Sequence, residues 1–438
     1  MAVESPPNPY IPPGQDDSAL APFAGRQAAF SALHRRITDS TQPGALLFLG
    51  NKYSGKTTLL RRFSTFFDET YIGVYLALGR LTLNSESSLL QALAGALTQS
   101  VVARDYTLSR IPEAPDSPNN LREWLKETYL PELFTVVRRH RFVLLLDDAD
   151  HLLDSITAGH LPEDSMAYLY SLLEAQPRLG MALTLNSRRE DEIEKLSPLV
   201  QRENVFRLHA LTPDESAWLL QTPPVSCYTL SAESAVTIHK ATGGQPHLLQ
   251  RFGYHLFQDW LAHPNQPDRT PAAVKACIPR VYAASEGDFQ QEWDGLNSNE
   301  RLVLTAASQL LYSDPLHTIQ TAQIEMWLVE TDYPLDTTAI NAAVRSLDYR
   351  DSINLTPDGL TIHAGLWQTW LLENARLPGL AGNRPDQSES QPPGRRRTLV
   401  IAAGLLLLLV MVIILATSSP GETQDSPLAP TVTLATGE

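Results

Sequence analysis

Eight residues constrain this chain more than any others. Gly50, Asn51, Lys52, Tyr53, Ser54, Gly55, Lys56 and Thr57 fit the pattern G-x-x-x-x-G-K-[ST]. They follow a short apolar run, residues 45–50, and lead into a helix-like stretch that continues with Thr58. Strand, glycine-rich turn and helix in that order form a phosphate cradle. The glycines let the backbone curl until successive N–H groups converge on an anion, and the helix adds its positive N-terminal end. In such a loop Lys56 reaches the β- and γ-phosphates, and the Thr57 hydroxyl is a ligand for Mg2+. Residues 50–58 are therefore the expected binding set for ATP.

A second apolar run ends in Asp147 and Asp148. Asp147, at the strand end, is placed to hold the water shell of Mg2+. Asp148, next to it, is the expected base that polarises an attacking water. A third run, residues 181–185, ends in Asn186, Ser187 and Arg188. If this strand is inserted between the other two, its end faces the γ-phosphate. Asn186 would then orient the water and Arg188 would touch the phosphate.

The rest of the chain alternates strand-length apolar runs with longer helical patterns over residues 21–210, the signature of a parallel α/β sheet covered by helices on both faces. Residues 1–20 are a proline-rich extended lead. Residues 211–289 read as a small helical lid with no evident strand. Residues 290–376 read as three helices and a hairpin around Pro357, Asp358 and Gly359, the winged-helix order. A linker follows at 377–397. The 438 residues carry 34 basic and 49 acidic side chains, a net charge of −15, which argues against a general nucleic-acid coat. Two cysteines, Cys227 and Cys277, exclude a disulfide scaffold. No zinc spacing and no G-x-S-x-G nucleophile elbow occurs in the sequence.

Residues 398–417 are twenty uncharged residues, long enough to span about 30 Å as a helix. Arg395, Arg396 and Arg397 precede them, and no Lys or Arg follows in the tail, 418–438. The positive-inside rule then expects one anchor in the cell membrane, the ATPase part in the cytoplasm and a short tail outside.

Taken together, residues 8–376 resemble the signal-transduction ATPases with numerous domains (STAND), on the AAA+ branch of P-loop proteins. Asn8-Pro9-Tyr10-Ile11 and Pro22-Phe23-Ala24-Gly25-Arg26 are similar to the lead-in that covers the adenine. Asn186-Ser187-Arg188 resembles the family's Thr-Ser-Arg strand end, and Thr242-Gly243-Gly244-Gln245-Pro246 its Gly-x-Pro motif. The resemblance implies nucleotide contacts from Phe23, Arg26 and Pro246. It also implies slow turnover, because many relatives carry Glu at the position of Asp148. His247 stands after the Gly-x-Pro where oligomeric motors carry an Arg, which favours a switch over a ring motor.

Two functions follow from these readings. One is a membrane-anchored regulatory switch that couples ATP binding and slow hydrolysis to an unidentified protein partner. The other is a DNA-binding initiator of the origin-recognition type. Residues 300–376 hold four basic and ten acidic side chains, a balance of −6. A domain that neutralises phosphates needs the opposite sign, so nucleic acid is not the expected partner. Deleting residues 398–417 is expected to move the protein from membrane to soluble fractions with ATP binding intact. Retention in membranes after a high-salt wash would mean that another surface attaches it.

Overall fold

The computed structural model describes residues 6–12, 22–39, 43–106, 111–115, 120–224, 227–313 and 318–375. The expected membrane span at 398–417, the linker, the tail and Arg376 lie outside these residues. Among the described residues no helix is long and apolar enough to cross a membrane.

Five strands, β1 (Leu46–Gly50), β2 (Tyr71–Ala77), β3 (Arg141–Asp147), β4 (Leu179–Asn186) and β5 (Val205–Arg207), form a parallel sheet in the order β2-β3-β4-β1-β5. The apolar runs alternate their side chains between two layers, as a strand period of two requires. Leu47 and Leu49 of β1, and Phe142, Leu144 and Leu146 of β3, enter one buried cluster. Leu46 and Phe48, with Val143 and Leu145, enter the other. β4 lies between the phosphate-loop strand and the acidic strand, pairing Gly50 with Asn186 and Leu146 with Leu183. All three polar strand ends therefore open on one edge of the sheet, the carboxyl edge where α/β sheets bind ligands.

Helices dominate after β5. A capping box in which Thr212 and Glu215 exchange hydrogen bonds starts Pro213–Gln221. Ala232–Thr242 and Pro246–Ala262 follow, as the sequence led us to expect. Three features were not anticipated. β6 (Thr229–Leu230) and β7 (Asp268–Arg269) form a short parallel pair where no strand was evident. A 24-residue helix, Pro271–Asp294, runs through the boundary expected at 289 despite its internal Pro279. A final helix, Gly365–Asn374, buries Trp367 and Trp370.

Between these, Ser298–Ser313, Thr321–Glu330 and Thr337–Tyr349 are the three expected helices, followed by the antiparallel pair β8 (Ile353–Thr356) and β9 (Gly359–Ile362). Ile319 bridges to Leu360 beside them. One continuous apolar cluster of buried residues extends from Leu211 to Ala375, so the lid and the C-terminal helices share a core instead of holding two. Tyr10 of the lead belongs to that cluster. Its hydroxyl donates to the carbonyls of Leu219 (3.2 Å) and Leu220 (2.9 Å), and its ring lies so close to Gly253 that a Cβ there would sit 2.3 Å from it.

Candidate nucleotide site

A cavity of about 580 Å³ lies between the carboxyl edge of the sheet and the N-terminal turns of the helix Pro246–Ala262. The size suits a nucleotide-sized ligand. Its walls include Phe23, Arg26, Lys52, Tyr53, Ser54, Gly55, Lys56, Thr57, Thr58, Asp148, Asn186 and Pro246, so the fold gathers twelve sequence-selected residues at one place.

The loop geometry follows from its glycines. Gly55 sits at φ 90°, a left-handed backbone open to glycine at little cost. A Cβ on Gly50 would fall 2.6 Å from Ser54 Oγ. Lys56 folds back on the loop and donates to the carbonyls of Gly50 (2.8 Å) and Asn51 (2.7 Å). Desolvation pushes its ammonium down to about 8, against the attraction of Asp150, Asp147 and Asp148. Ser54 Oγ is buried with no hydrogen-bond partner. A desolvated lysine beside an orphaned hydroxyl in a glycine loop fits a phosphate group.

Arg26, itself left-handed at φ 67°, holds the loop from behind. Its guanidinium donates to the Ser54 carbonyl (2.8 Å) and the His209 carbonyl (2.6 Å). Burial lowers its pKa from the usual arginine value. Phe23 is anchored edge-on against Phe30 and Phe66, with ring centroids 6.1 and 5.9 Å away.

The acidic pair is locked by one threonine. Thr184 Oγ1 donates to Asp147 Oδ1 (2.6 Å) and accepts the Asp148 N–H (2.9 Å). Tyr75 Oη donates to Asp147 Oδ2 (2.8 Å). Each carboxylate oxygen of Asp147 keeps a lone pair, so the group can still accept from the waters of a hydrated cation. With Thr57 it is a reasonable donor set for Mg2+, which binds through one or two protein oxygens plus phosphates and water. Asp148 takes φ 59°. Its carboxyl pKa is raised, first by desolvation and then by the charge of Asp147. Among the described residues no group of three His, Cys, Asp or Glu side chains could hold a metal alone.

Not every expected residue reaches the cavity. Arg188 Nη2 pairs with the Glu292 carboxylate (3.0 Å) and backbone carbonyl (3.1 Å), on the long helix Pro271–Asp294. It lines a separate space of about 170 Å³. A γ-phosphate contact would require it to leave Glu292. Asn186 lines both spaces, and its Oδ1 accepts the Arg188 N–H (3.1 Å). Asn51 faces away from the main cavity: it accepts from Ser187 and donates to the carbonyl of Arg350.

Other residues on the walls were not singled out from the sequence. Asp150, His151, Gln250 and Arg251 are the polar ones, with Pro12 and Leu219 among the apolar ones. Arg251 stands four residues after His247 on the same helix, so the i,i+4 spacing could have found it. It pairs with Asp288 and donates to Ser285 Oγ (2.8 Å). His247 stacks on Tyr53 at 4.5 Å, and desolvation pushes its imidazole down to about 3. It is neutral and does not replace a phosphate-binding arginine.

The sheet order, the glycine loop and the acidic strand end define a P-loop nucleotide-binding protein. Residues 22–185 match the family described as AAA ATPase domain. The fold is similar to that of the Walker-type ATPase of Pyrococcus abyssi (TM-score 0.57, 17% identity, covering 80% of this chain and 96% of that one). It is also similar to the Aeropyrum pernix ORC2 protein in its ADPNP–ADP complexes (TM-score 0.51, 13% identity, covering 94% and 97%). No curated protein matches the chain in sequence.

The lowered pKa of Lys56 sets a pH dependence. In the free protein the cation is lost as pH rises through about 8. A bound phosphate favours the charged form, so above that value binding takes up a proton. ATP affinity is expected to fall by up to about tenfold per pH unit above about pH 8 and to vary little just below it. Calorimetric titrations across this range check it; an affinity that stays flat to about pH 9.5 would mean that burial does not hold the Lys56 ammonium down.

Proposed function

We propose that the chain is a membrane-anchored ATP switch of the STAND type, in which ATP binding and slow hydrolysis govern docking of the lid and a winged-helix unit, and through them a protein partner. The observation that carries this reading is a convergence on the phosphate loop. Three consecutive loop residues are each gripped by an element outside the sheet. Asn51 donates to the carbonyl of Arg350, at the end of the helix Thr337–Tyr349. Lys52 donates to Gln291, and Tyr53 Oη donates to Asp288 Oδ1 (2.8 Å), both on the helix Pro271–Asp294. Around the first contact, Arg207 lies over the Tyr349 ring at 4.8 Å, and His209 approaches Asp351 at 3.4 Å. A ligand that reshapes the loop therefore acts on all three grips at once.

Within the site, Lys56 neutralises the β- and γ-phosphates, while Phe23 and Pro246 flank the nucleotide and Arg26 holds the loop from behind. Thr57 and Asp147 would hold Mg2+, which would supply charge neutralisation on the transferring group. Asp148 accepts the proton of the attacking water, a role suited by its raised pKa, and Asn186 orients that water. The membrane anchor rests on residues 395–417 of the sequence. The initiator reading has less support. Residues 300–376 are acidic, and the last turn of the would-be recognition helix already faces the ATPase core through Tyr349.

Asp148→Asn is expected to keep ATP binding and to slow hydrolysis by about 10²–10⁴-fold, because an amide is no base. Turnover equal to the parent's would assign the proton to another group. For the switch itself, hydrogen exchange at residues 349–351 is expected to change when ATP is added to the full chain and to stay unchanged in Lys56→Ala. Exchange there that is indifferent to ATP in the parent would sink the coupling.

A further inference from the structure

Gln250 lies on the cavity wall with one half of its amide fixed. Its Nε2 donates to the backbone carbonyl of Pro22 at 2.7 Å. A carbonyl can only accept, so the amide orientation is determined: nitrogen toward Pro22, oxygen away from it. The oxygen, Oε1, is buried and has no hydrogen-bond partner. A desolvated acceptor left open disfavours the free protein relative to one that is satisfied. Because the Gln250 side chain lines the cavity, a donor on a bound ligand is the group that can satisfy this oxygen, once the amide shifts enough to meet it.

The surroundings narrow what that donor is. Ile11, Pro12, Pro22, Phe23, Leu219 and Pro246 supply apolar walls to the same cavity, while the phosphate loop supplies its polar ones. A flat, weakly polar ring suits the first group and a polyphosphate the second. Adenine brings one exocyclic amino group as its donor. Guanine would bring an N1–H, an amino group and an additional carbonyl to a wall where Gln250 offers one open acceptor. The carbonyl, at the position of adenine's amino group, would face Oε1 acceptor to acceptor.

We infer that Gln250 is the residue that selects adenine, with Oε1 accepting from the 6-amino group while Pro22 locks the amide. The assignment rests on the nucleotide reading above and adds its base specificity. Pro22 belongs to the stretch before the phosphate-loop strand and Gln250 to the lid helix. The bond between them therefore builds the base-reading atom only when both segments are in place.

The test compares nucleotides on the unaltered full chain, so it does not depend on a variant folding. The probes are ATP, GTP, ITP and the triphosphate of purine riboside, which lacks the 6-amino group. ATP is expected to bind about tenfold or more tighter than each of the other three. Gln250→Met, which keeps the bulk and removes the acceptor, is expected to bind ATP and the purine riboside triphosphate equally. Tight binding of all four by the parent would overturn the role of Gln250 and leave the nucleotide site standing. Binding of none would overturn both. A variant that still prefers ATP over the purine riboside form would move base selection to another group.

Discussion

A lysine ammonium tied to two carbonyls of its own loop is the interaction around which the other parts are arranged. Lys56 closes the loop on Gly50 and Asn51 while desolvation works against its charge. Three carboxylates act on it from the ends of β3 and the turn that follows. Two of these residues are placed by Thr184, which bonds the Asp147 carboxylate and the Asp148 backbone at once. Thr184 can do this because β4 is inserted beside both β1 and β3. Sheet order, acidic pair and lysine are thus one arrangement: a change in strand order would separate the charges that steady the loop.

Much of this was legible in the sequence, for a local reason. The phosphate loop depends on glycine backbone freedom and on residues adjacent in the chain. Asp147 and Asp148 are fixed by the strand that carries them. The insertion of β4 entered as a condition: its polar end, Asn186-Ser187-Arg188, faces the γ-phosphate if the strand lies beside Gly50 and Asp147, and the strand does lie there. Partners that depend on distant elements were not readable. Arg188 was expected at the γ-phosphate and instead meets Glu292, 104 residues away. Gln250 and Arg251 lie on a helix whose existence was plain but whose rotation toward the cavity was not. The helix Pro271–Asp294 crosses the expected boundary and continues through Pro279, a residue that ordinarily breaks a helix, so no local signal announces it.

The contrast between Arg188 and Arg26 shows how a cation's role follows from its neighbours. Arg26 gives its hydrogen bonds to carbonyl oxygens and so shapes backbone, while Glu215 and Asp351 act on its charge from a distance. Arg188 meets a carboxylate, and its charge is already answered within the protein. The first arrangement fixes the backbone of the loop. The second holds its cation against the helix Pro271–Asp294.

The shared apolar core of residues 211–375 has a mechanical consequence. Close-packed side chains resist sliding, because each displaced methyl group must find a new hole. The lid and the C-terminal helices therefore belong to one rigid lever. Its seam with the sheet is of another kind. Asn51 with Arg350, His209 with Asp351, and Arg188 with Glu292 are polar contacts that water can replace. The molecule is stiff along its greasy joint and compliant along its wet one, and the nucleotide cavity opens on the compliant side.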